Sequence, residues 1–208
     1  MTEDPPYPRS LSKGRAFAYL LPCRHEDIAK IGFSRDPLVR VHTLHRRYFE
    51  FFDLDRAVLV ETDRVRDARR IERRLIADFS DYLAPAPLLI PDSAGGRTEW
   101  YRGAFPAIRQ TLHTLAESDA LVLHDPMNSW LRTRIAGVTE RMHGWAADMR
   151  EAIEYAQHNL ADDRQSKHLQ GVLCDVLDAH VALGIDVQTL VPTDAWTWYR
   201  DHSTYRVD

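Results

Sequence analysis

The chain has 208 residues, 44% of them hydrophobic and 28% charged, with a formal net charge of −4. That is the composition of a globular protein with ample material for a core; no run approaches the roughly 18 apolar residues of a membrane span, and the start MTEDPPYPRS, acidic and proline-rich, is expected to be neither signal peptide nor anchor. Cys23 and Cys174 lie too far apart to suggest a metal spacing or a disulfide framework, so a reducing cytoplasm is expected.

Taken in order, RAFAYLL (15–21) and DIAKIGFS (27–34) read as two strands joined by the turn-like PCRHE, a β-hairpin. Asp36-Pro37 is a helix start, with the acid as N-cap and proline at the first helical position, and predicts a helix to about Tyr48. FFDLDRAVLVET (51–62) reads as a third strand, most buried at Val58–Val60. Thr62 or Asp63 then caps a helix over 64–80. APAPLLIPDSAGGR (84–97) is broken by prolines and glycines and reads as an ordered loop. TEWY (98–101) follows, and 104–117 is a short helix.

Past Asp125-Pro126 the pattern changes. Leu131, Ile135, Val138, Met142, Trp145, Met149, Ile153, Ala156 and Leu160 step by three or four residues, which predicts one amphipathic helix of about 30 residues. After the turn ADDRQSK, Leu169, Leu173, Val176, His180 and Leu183 continue the stripe on a second helix, and TDAWTWYRD closes the bundle. The expected organisation is an N-terminal tail (1–14), a mixed α+β domain (15–124) and a helical domain (125–208). The tryptophans of the last part, Trp130, Trp145, Trp196 and Trp198, are expected in core or dimer contacts.

Charge is distributed unevenly. Residues 1–124 hold 19 Lys/Arg against 18 Asp/Glu, and residues 125–208 hold 8 against 13. Within 35–74 stand 11 arginines, no lysine and 8 acids. The planar arginine fork matches phosphate oxygens in a bidentate way, so the local field permits a polyanion partner that the whole-chain charge does not suggest. Arg35, Arg46 and Arg47 are the candidates around the first helix; solvated helix faces are the plainer alternative.

Two constellations carry chemistry. Glu72 completes a 65-68-72-75-79 stripe on the 64–80 helix, where an apolar residue is expected, and an inward carboxylate is costly unless a cation or donors meet it. A metal or active-site role competes with an ion pair to Arg69 or Arg73 on a helix whose stripe uses Ile71 and Ile76. Tyr19, Lys30 and Arg40 are the second set: paired strands bring the first two to one face, and Arg40 sits a turn past Pro37. A phenol, two cations and a carboxylate are equipment for a phosphodiester. Singly, each is also explained as strand packing or surface charge. Trp100 and Tyr101 could stack an unpaired base, or plug a domain edge.

FAYLL followed by KIGFS, then Arg40, then Glu72, then TEWY, resembles the GIY-YIG nuclease superfamily, in its phage- and bacteria-rich branch reading KIG and closing on Glu-Trp. The resemblance covers about residues 15–105. It implies an α+β fold with a small three-stranded antiparallel sheet flanked by helices, here followed by an α-helical C-terminal region. It also implies a divalent-metal-dependent endonuclease acting on DNA with Mg2+ or Mn2+. Tyr19 would be general base or water-orienting phenol, Arg40 would bind phosphate, Glu72 would hold the metal, and Gly32 would let the backbone turn beside the phosphate. Lys30 stands where the family has a second tyrosine, and no asparagine precedes Asn128; Glu99 or Thr98 is the candidate for that space. Those departures motivate the alternative, a nucleic-acid-binding module that no longer cleaves. Residues 125–208 are expected to serve a homo-oligomer or a protein partner.

Overall fold

In the computed structural model, residues 13–137, 141–159 and 163–205 are described. Residues 1–12 of the expected tail lie outside them, while Lys13 and Gly14 already belong to the first strand, β1 (Lys13–Pro22). It pairs antiparallel with β2 (Ile28–Ser34) as a hairpin and, on its other side, with β3 (Val58–Arg64). That central place explains why Ala16 to Leu21 are all buried and why the run reads as continuously apolar.

The sheet has six strands, which corrects the expected small three-stranded one. β5 (Trp100–Arg102) adds to β2, β4 (Leu83–Ala84) adds to β5, and β6 (Val122–His124) adds to β3, giving the order β4-β5-β2-β1-β3-β6 with every pairing antiparallel. The added strands are two or three residues long, too short for a period of two to show in the sequence.

Helix α1 (Pro37–Leu44) begins where the Asp36 carboxylate accepts from the Val39 N–H at 3.2 Å. It stops at Leu44, and α2 (Tyr48–Phe51) takes residues expected to extend it or to open the third strand. The reason is packing: Tyr48, Phe49 and Phe52 all reach the core. Neither Thr62 nor Asp63 caps α3 (Val65–Asp78). The Thr62 hydroxyl, buried, lies 3.0 Å from the carbonyls of Ala16 and Arg64. Ile71 and Leu75 of α3 share a core with Ile108 and Leu112 of α4 (Phe105–Ser118) and with Ala18, Leu20, Ile31 and Val60 of the sheet. Burying one such aliphatic side chain contributes about 1.5–3 kcal/mol.

The chain divides into two compact units, residues 1–129 and 130–208. The second holds most of α5 (Met127–Ala136), then α6 (Met142–Asn159), α7 (Asp163–Ala182) and α8 (Thr193–His202). The single long helix expected over 131–160 is two helices, since α5 ends at Ala136 with Gly137 in a turn. Glycine costs about 1 kcal/mol in a helix interior, which makes it a natural break. Val138 and Leu160 of the expected stripe lie outside the described residues. Ala146, Ile153, Leu173, Leu177, Trp198 and Tyr199 form this unit's own core. Within it Asp178 is 1% exposed, and its Oδ1 accepts from the hydroxyls of Tyr199 and Ser203, both at 2.7 Å. No helix among the described residues is long and apolar enough to cross a membrane.

Candidate active site

The hairpin register places Tyr19 opposite Gly32, and Lys30 opposite Leu21 on one side and Trp100 on the other. Directly paired residues share a face and so do residues two apart, which puts Tyr19 and Lys30 on the same side of the sheet. A Cβ on Gly32 would overlap the Tyr19 hydroxyl and come to 2.5 Å from its Cζ. Gly32 therefore makes room for the phenol ring. That is a different task from the expected turn beside a phosphate, and it comes from cross-strand pairing, not from backbone freedom.

Arg40 joins Tyr19 from α1. Its Nε donates to the Tyr19 hydroxyl at 3.3 Å, while Nη1 donates to the Ala94 carbonyl at 2.7 Å and Nη2 to that of Gly95 at 3.3 Å. A short 3-10 turn, Asp92–Ala94, followed by Gly95 with φ of 55°, presents these successive carbonyls. The next residue, Gly96, accepts the Trp100 indole N–H at 2.6 Å. Residues 92–98 thus form a strap over the site, and Tyr19 is only 2% exposed. Burial pushes the Tyr19 phenol above its ordinary range, with the Arg40 guanidinium opposing.

Lys30 is 1% exposed. Its ammonium donates to the Thr98 carbonyl at 2.8 Å, to Glu99 Oε2 at 3.3 Å and to the Ile31 carbonyl at 3.4 Å. An ammonium has three hydrogens, and all three are directed inward here. Lys30 therefore secures the strap's end and the Glu99 carboxylate. Burial lowers its pKa and Glu99 draws it back up. Glu99 itself has φ of 58°, a left-handed conformation costing roughly 1–3 kcal/mol in a residue with a Cβ, the kind of strain that gathers at functional sites.

Glu72 lies beside the buried stripe of α3, which runs through Val65, Ala68, Ile71 and Leu75. The stripe through Ile71 is the one realised, and Glu72 is half-buried on its flank. Among the described residues no hydrogen bond or ion pair ties its carboxyl. Burial and then Glu99 raise it, against Lys30, Arg69 and Arg73. Among the described residues no group of three or more His, Cys, Asp or Glu gathers as a metal cluster. The donor set is two mutually repelling carboxylates, Glu72 and Glu99. Hard oxygen donors of that number suit Mg2+ or Mn2+, which commonly use one or two carboxylates together with water and substrate phosphate.

The other candidates are dispersed. Arg35 and Arg46 are exposed on either side of α1. Arg47 binds Glu50 through Nε and Nη2, each at 2.6 Å, and lies 4.9 Å over the Phe49 ring. Trp100 is 0% exposed and stacks near Phe52 with ring centroids 6.4 Å apart, so its indole is a wall of the site and offers no face to a base. Tyr101 is likewise 1% exposed. Its hydroxyl is buried with no hydrogen-bond partner, and burial, then Glu99 and Glu72, push the phenol up to about 12. Sequence reasoning missed the strap carbonyls and the Tyr101 hydroxyl; the Gly95-Gly96 pair was the one visible trace of the first.

Residues 16–116 match the family model of the T5orf172 domain. This corrects the resemblance read from the sequence, because T5orf172 is a domain distinct from the GIY-YIG nucleases. It occurs in nuclease-like and DNA-binding proteins, which agrees with a nuclease-like function and with DNA as partner. No curated protein and no solved structure matches the chain.

Proposed function

We propose that the first unit is a divalent-metal-dependent endonuclease that hydrolyses DNA phosphodiesters. One observation carries the reading: Arg40 donates to the Tyr19 hydroxyl at 3.3 Å, and the carboxylates of Glu72 and Glu99 act electrostatically on that same phenol. Glu72 and Glu99 would hold Mg2+ or Mn2+, which supplies positive charge against the phosphate. Arg40 is the phosphate cation, and its guanidinium must exchange the carbonyls of Ala94 and Gly95 for phosphate oxygens. Tyr19, its phenol raised, stays neutral at pH 7; it orients the attacking water through its hydroxyl and does not serve as a phenolate base. Lys30 is a positioning residue that fixes Glu99. Arg35 and Arg46 would meet flanking phosphates as exposed cations.

The test is plasmid nicking. Supercoiled DNA with Mg2+ or Mn2+ is expected to become nicked or linear, EDTA to stop it, and Glu72→Ala to lower the rate at least about a hundredfold, the scale of losing one electrostatic group from a site. Equal activity in the variant would place the chemistry elsewhere. A binding module without cleavage is favoured by the strap's hold on Arg40, and it predicts salt-sensitive DNA binding with no product under any metal.

A further inference from the structure

The loop of residues 85–99, which joins β4 to β5, turns sharply before it reaches the strap. Pro87, Leu88, Leu89 and Ile90 form a four-residue turn closed by the Ile90 N–H, which donates to the Pro87 carbonyl at 3.1 Å. Its two ends, Pro87 and Ile90, are buried, and its two central residues stand in solvent: Leu88 is 94% exposed and Leu89 68%. A single exposed leucine is ordinary. Two in succession at the centre of a turn are not, since Gly, Asn, Asp and Ser serve those positions without exposing apolar surface. Pro85, Pro87 and Pro91 fix three backbone torsions around the tip, so little of its conformation remains to be frozen when it is buried. The next turn begins at once: the Ala94 N–H donates to the Pro91 carbonyl at 3.0 Å, and the Ala94 carbonyl accepts from Arg40. Leu89 precedes Ala94 by five residues, at most about 18 Å of chain.

We infer that Leu88 and Leu89 are an apolar wedge that enters the base stack of DNA held at Arg40. This rests on the reading of Arg40 as a phosphate contact, and on neither metal nor cleavage. Size argues for this occupant. Burying one leucine removes about 60–120 Å2 of apolar surface from water. Even with Leu83 and Tyr82, exposed earlier in the chain, the apolar area amounts to about 500 Å2 at most, against the about 800 Å2 per partner of a stable protein interface. A base step asks for much less: proteins that kink DNA open it with a few aliphatic side chains, whose burial offsets the lost stacking. At about 3.4 Å per base step, that length of chain keeps the opened step within about five steps of the phosphate on Arg40.

The test is binding of the full-length protein to a short duplex in EDTA, read by fluorescence anisotropy and by energy transfer between dyes on the two duplex ends. The unaltered protein is expected to bend the duplex and so raise the transfer. Replacing both leucines (Leu88→Ala with Leu89→Ala) should weaken binding at least about tenfold, the scale of one leucine's burial, and abolish the rise in transfer at saturation. The melting temperature and the slope of affinity against salt should not change, because the phosphate contacts are untouched. Methionine at both positions (Leu88→Met with Leu89→Met) should restore binding and bending. Equal binding and bending by the alanine variant would overturn the inference, as would a changed salt slope or a lower melting temperature, which would mean a disturbed strap or a damaged fold. An unaltered protein that sediments as a dimer beside an alanine variant that sediments as a monomer would overturn it too, since the leucines would then join two copies of the chain. If the unaltered protein binds duplex without bending it, this inference alone falls; if it binds none, the reading of Arg40 as a phosphate contact falls and takes this inference with it.

Discussion

Burial and the neighbouring Glu99 raise the Glu72 carboxyl above its ordinary 4.5, with Lys30, Arg69 and Arg73 opposing. A carboxyl raised on folding contributes stability that is complete below its unfolded value and is lost as pH rises through the folded value. Ionising Glu72 therefore costs the cation-free protein stability, the usual signature of a site that favours function over stability. Glu72→Gln is expected to raise the melting temperature at pH 7 in EDTA by about 2–4 °C, and to change it little at pH 4. Thermal unfolding across pH 4–8 checks this; a lower value at pH 7 would mean the surrounding cations already compensate the carboxylate. The sign also predicts that cation binding begins to fail on acidification sooner than an unperturbed glutamate would allow.

The strap of residues 92–98 is the element on which access depends. Two of its carbonyls occupy Arg40, and Trp100 and Lys30 anchor the Gly96 and Thr98 carbonyls. A Cβ on Gly96 would overlap Leu44 Cδ2 and stand 3.3 Å from Arg40 Nη2. Gly96→Ala should therefore lift the strap, destabilise the protein by about 1–3 kcal/mol as overpacking does, and release Arg40 to bind a DNA duplex several-fold more tightly without metal. Fluorescence anisotropy with a melting curve measures both; unchanged affinity in a folded variant would show that Arg40 is not gated. AGGR showed the glycine pair but not these contacts, because a carbonyl's partner depends on a helix more than 50 residues earlier in the chain. The hairpin and the start of α1 were legible, since apolar runs and Asp36-Pro37 are local signals. β4, β5 and β6 were not, being strands only through their partners. Glu72 was read as a member of the buried stripe and stands on its flank instead, because the stripe's phase, through Ile71, is fixed by the sheet it packs on. Gly32 looked like a backbone device and proved to be a space for Tyr19, a fact held in the cross-strand register alone.

At the scale of the whole chain, charge and comparison divide together. Residues 1–129 hold 19 basic against 19 acidic side chains, residues 130–208 hold 8 against 12, and the matched stretch, 16–116, falls wholly in the first part. The arginine-rich segment 35–74, with its excess of 3 positive charges, is thus tethered to a unit of net −4. A polyanion approaching the first unit meets that opposing field wherever the second lies within a Debye length, about 10 Å at 0.1 M salt. Each unit has its own buried core, so residues 1–129 are expected to fold without the rest. This truncated chain should bind a short DNA duplex several-fold more tightly than the full chain at about 50 mM salt, with the difference shrinking towards about 300 mM as screening removes the repulsion. Binding isotherms for both proteins across that range decide the matter. Weaker binding by residues 1–129 would reverse the assignment, making the helical unit a contributor of DNA contacts and leaving its net charge a matter of the face turned away.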